Sequence, residues 1–226
     1  MAQVESPPNE LTLADLWGQF GAMPAWRIRT APMPGTATEE DVIEIEAKEH
    51  RLCELVDGVL VEKTVGYRES YLACELVSEL RNFVKPSKLG IVTGEGGMMR
   101  LFPGLVRIPD AAFAGRDKFP DLRLPAEPVP ALVPDLAAEV LSEGNTAEEM
   151  SRKLVDYFEA GVRLVWYFDP RQKTVQVFTG PETSQLLSER DILTGGDVLP
   201  GFTLTIKTFF QEPLEDAGDA PTAPKG

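Results

Sequence analysis

Apolar positions along this chain follow two rhythms, and the change from one to the other marks out the elements. In "EEDVIEIEAKEHRL", Val42, Ile43, Ile45 and Leu52 form an imperfect helical stripe, and Thr38 with Asp41 three residues later forms an N-terminal cap. "CELVDGVLVEK" then alternates in Val- and Leu-rich arms around Asp57-Gly58, the signature of a hairpin with a two-residue turn. The helical rhythm returns in "YRESYLACELVSELRNFV", with Leu72, Leu76, Leu80 and Phe83 on one side and Pro86 as its stop.

Strand-like pieces follow at 91–93, 98–102 and 105–114, the last two joined by Pro103-Gly104. Residues 115–134 carry five prolines and read as an irregular surface loop, while the glycines of "GEGG" at 94–97 mark a bend or bulge. A central strand is expected at 136–141. After it, Asn145 or Thr146 caps a helix through a Thr146/Glu149 box, and Gly161 closes that helix. "VRLVWYF" is apolar enough to be buried on both faces. "KTVQVFTG" alternates as a half-exposed strand, and "DILTGGDVLPGFTLTIKTFF" adds a final short strand or two. No internal repeat is visible. The order of elements predicts an α+β (mixed α/β) domain around one central mixed sheet flanked by helices.

Length and composition refine this only in part. The 226 residues, 43% of them apolar, suit one sizeable domain with extensions. Boundaries are expected at 1–35 for an N-terminal extension with a short helix, 36–210 for the domain, and 211–226 for a disordered tail rich in acid, Pro and Ala. "MAQVESPPNE" lacks the features of a signal peptide, and no apolar stretch approaches the roughly 20 residues of a membrane span, so a cytoplasmic address is expected. Cys53 and Cys74 have no metal-type spacing and read as buried thiols, and His50 reads as an exposed helix residue. A net charge of −14 opposes nucleic-acid binding, although carboxylates gathered around a cation account for part of such a charge.

The chemistry centres on an acid in an apolar run. Alternation puts Leu136, Ala138 and Val140 on one face of the strand, and Asp135, Ala137, Glu139 and Leu141 on the other. A lone buried carboxylate costs several kcal/mol, so Glu139 needs an ion-pair partner or a metal. Asp110 is the candidate second carboxylate, because Pro109 ends regular pairing just before it and frees its side chain. Two carboxylates from neighbouring strands suit magnesium, or manganese, with water and phosphate oxygens completing the shell. Lys153 lies beside the stripe Met150, Leu154, Phe158 on the next helix, where its stem reaches either solvent or the carboxylates. Ordinary structural roles compete: an ion pair of Glu139 with Arg163 or Arg107, a turn carboxylate for Asp110, a solvated surface lysine, and core packing for Tyr157 and Trp166.

Taken together, "PGTATEEDV", "ELVDGVLVEK", "RIPDAAFAGRDKFP" and "PDLAAEVLSEGNTAEEMSRKLVDYFEAGVRLVWYFDPRQKTVQVF" resemble the Uma-type family of restriction-endonuclease-like proteins, a branch of the PD-(D/E)XK nuclease superfamily. The resemblance spans roughly residues 36–180. It implies a restriction-endonuclease-like core and a magnesium-dependent endonuclease acting on DNA, with Asp110 and Glu139 as metal ligands. Glu54 matches the superfamily's additional acid. The superfamily places its lysine two residues after the glutamate, and here that position is Leu141, so Lys153 is the substitute. Asp135 lies about 13 Å from Glu139 along an extended strand, too far to share one metal. A homodimer fits double-strand cutting. The rivals are a catalytically idle binding or assembly module, which Leu141 and the acidic charge favour, and a metal-dependent phosphoesterase acting on small substrates.

Overall fold

A computed structural model describes residues 15, 16, 18, 20, 21, 23–64 and 66–214. The acidic tail beyond Leu214, residues 1–9 and most of the short helix expected near Trp17 lie outside the described residues.

The first long helix, α1 (Glu39–Glu49), begins where the sequence predicts, with the Asp41 carboxylate accepting from the Thr38 N–H at 2.7 Å. Strands β1 (Cys53–Val56) and β2 (Val59–Glu62) follow as the expected hairpin. Its turn needs positive φ at both Asp57 and Gly58, and a Cβ on Gly58 would meet the Gly35 carbonyl oxygen at 2.5 Å, so glycine is required there. Helix α2 (Tyr67–Ser87) carries Pro86 inside its last turn and ends two residues later than the proline rule predicts, with Lys88 in the left-handed conformation.

Next come β3 (Gly90–Gly94), β4 (Met99–Phe102), β5 (Leu105–Arg107) and β6 (Ala111–Gly115). The single run expected at 105–114 is thus two strands. The break around Pro109 sends β5 into a four-stranded sheet of order β2-β1-β5-β4 and β6 into a six-stranded sheet. Strand β7 (Leu136–Val140), helix α3 (Ala147–Ala160) and strand β8 (Leu164–Asp169) form a crossover unit in which β7 and β8 run parallel. Strands β9 (Thr174–Gly180) and β10 (Thr183–Leu187) complete the larger sheet, ordered β10-β9-β8-β7-β6-β3, and β11 (Ile192–Gly195) with β12 (Leu199–Thr205) forms a separate hairpin before the short α4 (Ile206–Phe209).

The six-stranded mixed sheet separates two hydrophobic clusters. Leu136, Ala138 and Val140 of β7 pack with α2, β12 and α4, while Ala137 faces the cluster shared by β1, β2 and α3. This is the alternation predicted for 136–141, and it turns Glu139 towards the four-stranded sheet. Leu16, Phe20 and Met23 from the N-terminal segment join the second cluster. A third cluster lies between α1 and the outer face of β1 and β2. Cys53 is buried, where burial pushes its thiol up to about 11, whereas Cys74 is exposed, against the expectation of two buried thiols. Among the described residues no helix is long and apolar enough to cross a membrane.

Candidate active site

Strand register assembles the site. Pairing of Ala111 with both Gly94 and Ala138, continued by one residue, aligns Glu95, Asp110 and Glu139 in a row across β3, β6 and β7. In the smaller sheet, pairing of Leu55 with Val106 likewise sets Glu54 opposite Arg107. The two sheets face each other here, and α3 brings Lys153 between them.

Lys153 Nζ lies 3.1 Å from Glu54 Oε1 and 3.2 Å from Glu139 Oε1. All four residues singled out in the sequence are buried, Glu54 at 2% exposure, Lys153 at 4%, Glu139 at 5% and Asp110 at 8%. Glu139 Oε1 also accepts from the Tyr157 hydroxyl at 2.6 Å, so Tyr157 belongs to the polar network as well as to the core. Neither arginine considered as a partner for Glu139 takes that place: Arg107 pairs with Glu54 at 2.7 Å and with Asp156, and Arg163 lies 3.8 Å from Asp135. Asp135 accepts from the Gly115 N–H at 2.7 Å, at the other end of β6 from Asp110.

Asp110 is held from two sides. Its Oδ2 accepts from the Val140 N–H at 2.6 Å, and its Oδ1 lies 2.7 Å from Lys63 Nζ, which also donates to the Ile108 carbonyl. Glu95, in the turn after β3, accepts from the Ser70 hydroxyl at 3.4 Å.

Burial and charge then differentiate the acids. Burial would raise the Glu54 carboxyl, but the charges of Lys153, Arg107 and Lys63 hold it well below the usual carboxylate range. Burial raises the Glu139 carboxyl despite Lys153, and the charge of Asp110 adds to the rise. Glu95 is raised for the same two reasons, burial and then Asp110. For Lys153, burial alone would favour the neutral amine, yet Glu139 and Glu54 outweigh it and keep the ammonium protonated. Glu54 is therefore an engaged anion that fixes Lys153, with Oε1 also accepting from the Ile108 N–H at 3.1 Å. Glu139 has bonds to Oε1 alone among the described residues, which leaves Oε2 as a donor atom.

Spacing alone does not single out Lys63, Glu95, Arg107 or Asp156 as site residues. For Lys63 a signal exists: Val59 and Val61 face inward, so alternation carries Lys63 to the same face as Glu54. Arg107 follows inward-facing Leu105 in the same way.

The larger sheet, its flanking helices and the acids on adjacent strands define a restriction-endonuclease-like α+β fold. A family model described as "Putative restriction endonuclease" matches residues 40–207, and the chain belongs to that family, Uma2. The structure is similar to the crystal structure of a protein from Anabaena variabilis ATCC 29413 described as "a putative nuclease belonging to DUF820", with TM-score 0.62 and 19% identity over 70% of this chain and 89% of that one. No curated relative matches.

Proposed function

We propose that the protein is a magnesium-dependent endonuclease of PD-(D/E)XK type that hydrolyses DNA phosphodiesters. Membership of the Uma2 family supports nuclease chemistry, and the row of Asp110 and Glu139 with Lys153 on Glu139 is the observation that carries the finer reading.

The donor set fits a hard cation. Among the described residues no group of three or more His, Cys, Asp or Glu side chains forms a ready-made metal site. Magnesium is commonly held by one or two carboxylates, with waters and substrate phosphate supplying the other ligands, and Asp110 and Glu139 match that requirement. When bound, the cation supplies Lewis-acid polarisation of the phosphoryl group and a more acidic water.

The chain's own groups do the rest. Lys153 places a permanent positive charge where negative charge develops on the phosphoryl oxygens. Glu54, Arg107 and Asp156 hold that ammonium in position through a buried chain of ion pairs, and Tyr157 fixes the Glu139 carboxylate. Incubation of plasmid DNA with the purified protein and magnesium tests the assignment. Nicking or linearisation is expected for the wild type and not for Asp110→Ala or Glu139→Ala; equal cleavage by all three ends it.

Burial of all four side chains favours a second reading, a catalytically idle module in which the same residues form a structural ion-pair network. Manganese separates the two, since a cation site gains thermal stability from it and a closed ion-pair network does not.

A further inference from the structure

In a chain with 36 acidic and 22 basic residues, five cationic side chains gather on one cleft. The cleft has a volume of about 470 Å³ and lies between the C-terminal turns of α2, the start of β3 and the loop after β6. Arg81, Lys85 and Lys88 line it from the helix side, Arg116 and Arg123 from the loop. No acidic residue lines it, and among the described residues none of the five makes an ion pair. Val84, Ile91 and Phe119 contribute apolar surface beneath them. Elsewhere the cations of this chain are mostly matched: Arg27 with Glu149, Arg29 with Glu49 and Glu62, Arg68 with Glu212, Arg100 with Glu39. The cleft is the place where positive charge is left unmatched and concentrated.

Its position gives that charge a direction. Strand β3 is the edge of the six-stranded sheet, with Gly94 at the end next to Asp110 and Gly90 at the cleft. The two ends are about 13 Å apart at strand rise. Helix α2 runs alongside, from Ser70, which donates to Glu95, to Lys85 in the cleft, a span of about 22 Å at helix rise. One half-buried sheet edge thus joins the acidic row to the basic cleft. At about 3.4 Å of duplex per base pair, the two spans correspond to about four to six base pairs.

We propose that this cleft is an exosite for the phosphate backbone of DNA, gripping the substrate about four to six base pairs from the scissile phosphate. The proposal rests on the nuclease reading. It also shows how a strongly acidic chain holds a polyanion: local unpaired cations capture the flank, and the substrate's reacting segment is then delivered to the carboxylates. An acidic protein partner would meet the same charges, but continuity with the edge that leads to Asp110 favours a long, evenly charged strand.

The test uses Arg81→Gln, Lys85→Gln and Arg123→Gln combined, three exposed positions outside the acid network, checked for an unchanged unfolding midpoint. Fluorescent duplexes of about 8 and about 24 base pairs are titrated over a range of salt, with Asp110→Asn added to both proteins to prevent cutting. The slope of log Kobs against log salt is expected to fall by about 0.9 for each phosphate that is no longer neutralised, on the long duplex only. With Asp110 restored, cleavage of the short duplex is expected to be unchanged. Equal slopes and equal length preference in the two proteins overturn the exosite while leaving nuclease activity intact. Loss of slope without cleavage by either protein supports the exosite and overturns the catalytic reading. Absence of DNA binding by the wild type overturns the exosite, as does displacement of DNA by poly-glutamate as effectively, charge for charge, as by unlabelled DNA.

Discussion

Lys153 Nζ lies 3.2 Å from Glu139 Oε1, although the two residues are on different elements and Leu141 occupies the strand position from which a lysine would reach the same carboxylate. Helix α3 supplies the geometry. Thr146 caps its first turn by accepting from the Glu149 N–H, and Met150, Leu154 and Tyr157 pin one face to the core, so Lys153 has little choice but to project between the sheets. Its ammonium is desolvated and remains charged because two carboxylates face it.

Lys153→Met should reduce plasmid cleavage by about 10²–10³-fold, the usual cost of one preorganised transition-state donor. Adding Leu141→Lys to that variant should recover part of the loss, because residues 139 and 141 share a strand face. Unchanged cleavage in Lys153→Met would remove the lysine from the mechanism.

Local periodicity showed a great deal of this site, and its limits are physical. The faces of β7, the Asp57-Gly58 turn and the Thr146 cap all depend on neighbours within a few residues, and each occurs as expected. Glu139 on the inward face was therefore legible. Its partner was harder, since charge pairing between Glu54 and Arg107 depends on the register of two strands some fifty residues apart, which no local spacing encodes. In the sequence Glu95 is part of a glycine-rich bend, and only the pairing of β3 with β6 brings it beside Asp110. Glu149, read as half of a capping box, instead directs its carboxylate to Arg27 at 2.8 Å, because a buried guanidinium outcompetes a backbone amide.

Manganese should stabilise the protein by about 2.7 kcal/mol at a hundredfold excess over its Kd, and Asp110→Asn or Glu139→Gln should abolish the effect. The gain should also grow with pH. A raised Glu139 carboxyl keeps its proton above the usual glutamate range, so a cation must displace that proton, and it does so more easily as pH rises through the elevated value. In the metal-free protein the same shift has the opposite consequence. Stability contributed by protonated Glu139 is complete below the ordinary glutamate pKa and is lost as pH climbs through the folded value, so metal-free Glu139→Gln should match the wild type in acid and exceed it at neutral pH. Thermal unfolding across pH, with and without manganese, checks both halves.

Arg107→Met should destabilise the fold by about 3–5 kcal/mol, because it leaves Glu54 and Asp156 buried without their shared partner. The loss should be largest at neutral pH. Glu54 has a depressed carboxyl in the folded protein, so its contribution is present above the ordinary glutamate pKa and disappears as pH falls through the lower folded value. Urea denaturation of wild type and variant at two pH values measures this; a difference that widens in acid would contradict the assignment of Glu54 as an ionised anchor.

Lys63 gives the sharpest contrast between a structural and a metal-binding role for Asp110. Its ammonium lies 2.7 Å from Asp110 Oδ1, the oxygen opposite the one tied to the Val140 N–H, and so occupies the place where a cation would be attracted. Lys63→Met removes that charge while keeping an unbranched side chain of similar length. If Asp110 and Glu139 form a cation site, the excess negative charge should tighten manganese binding, by about tenfold for a neighbouring charge in this partly shielded setting. Cleavage should nevertheless fall, since a positive group close to the approaching phosphate is gone. Calorimetric titration with manganese and a plasmid assay on the same preparation separate the two effects. A purely structural Lys63–Asp110 pair makes the reverse outcome: a less stable protein, with no gain in manganese affinity from removal of the charge.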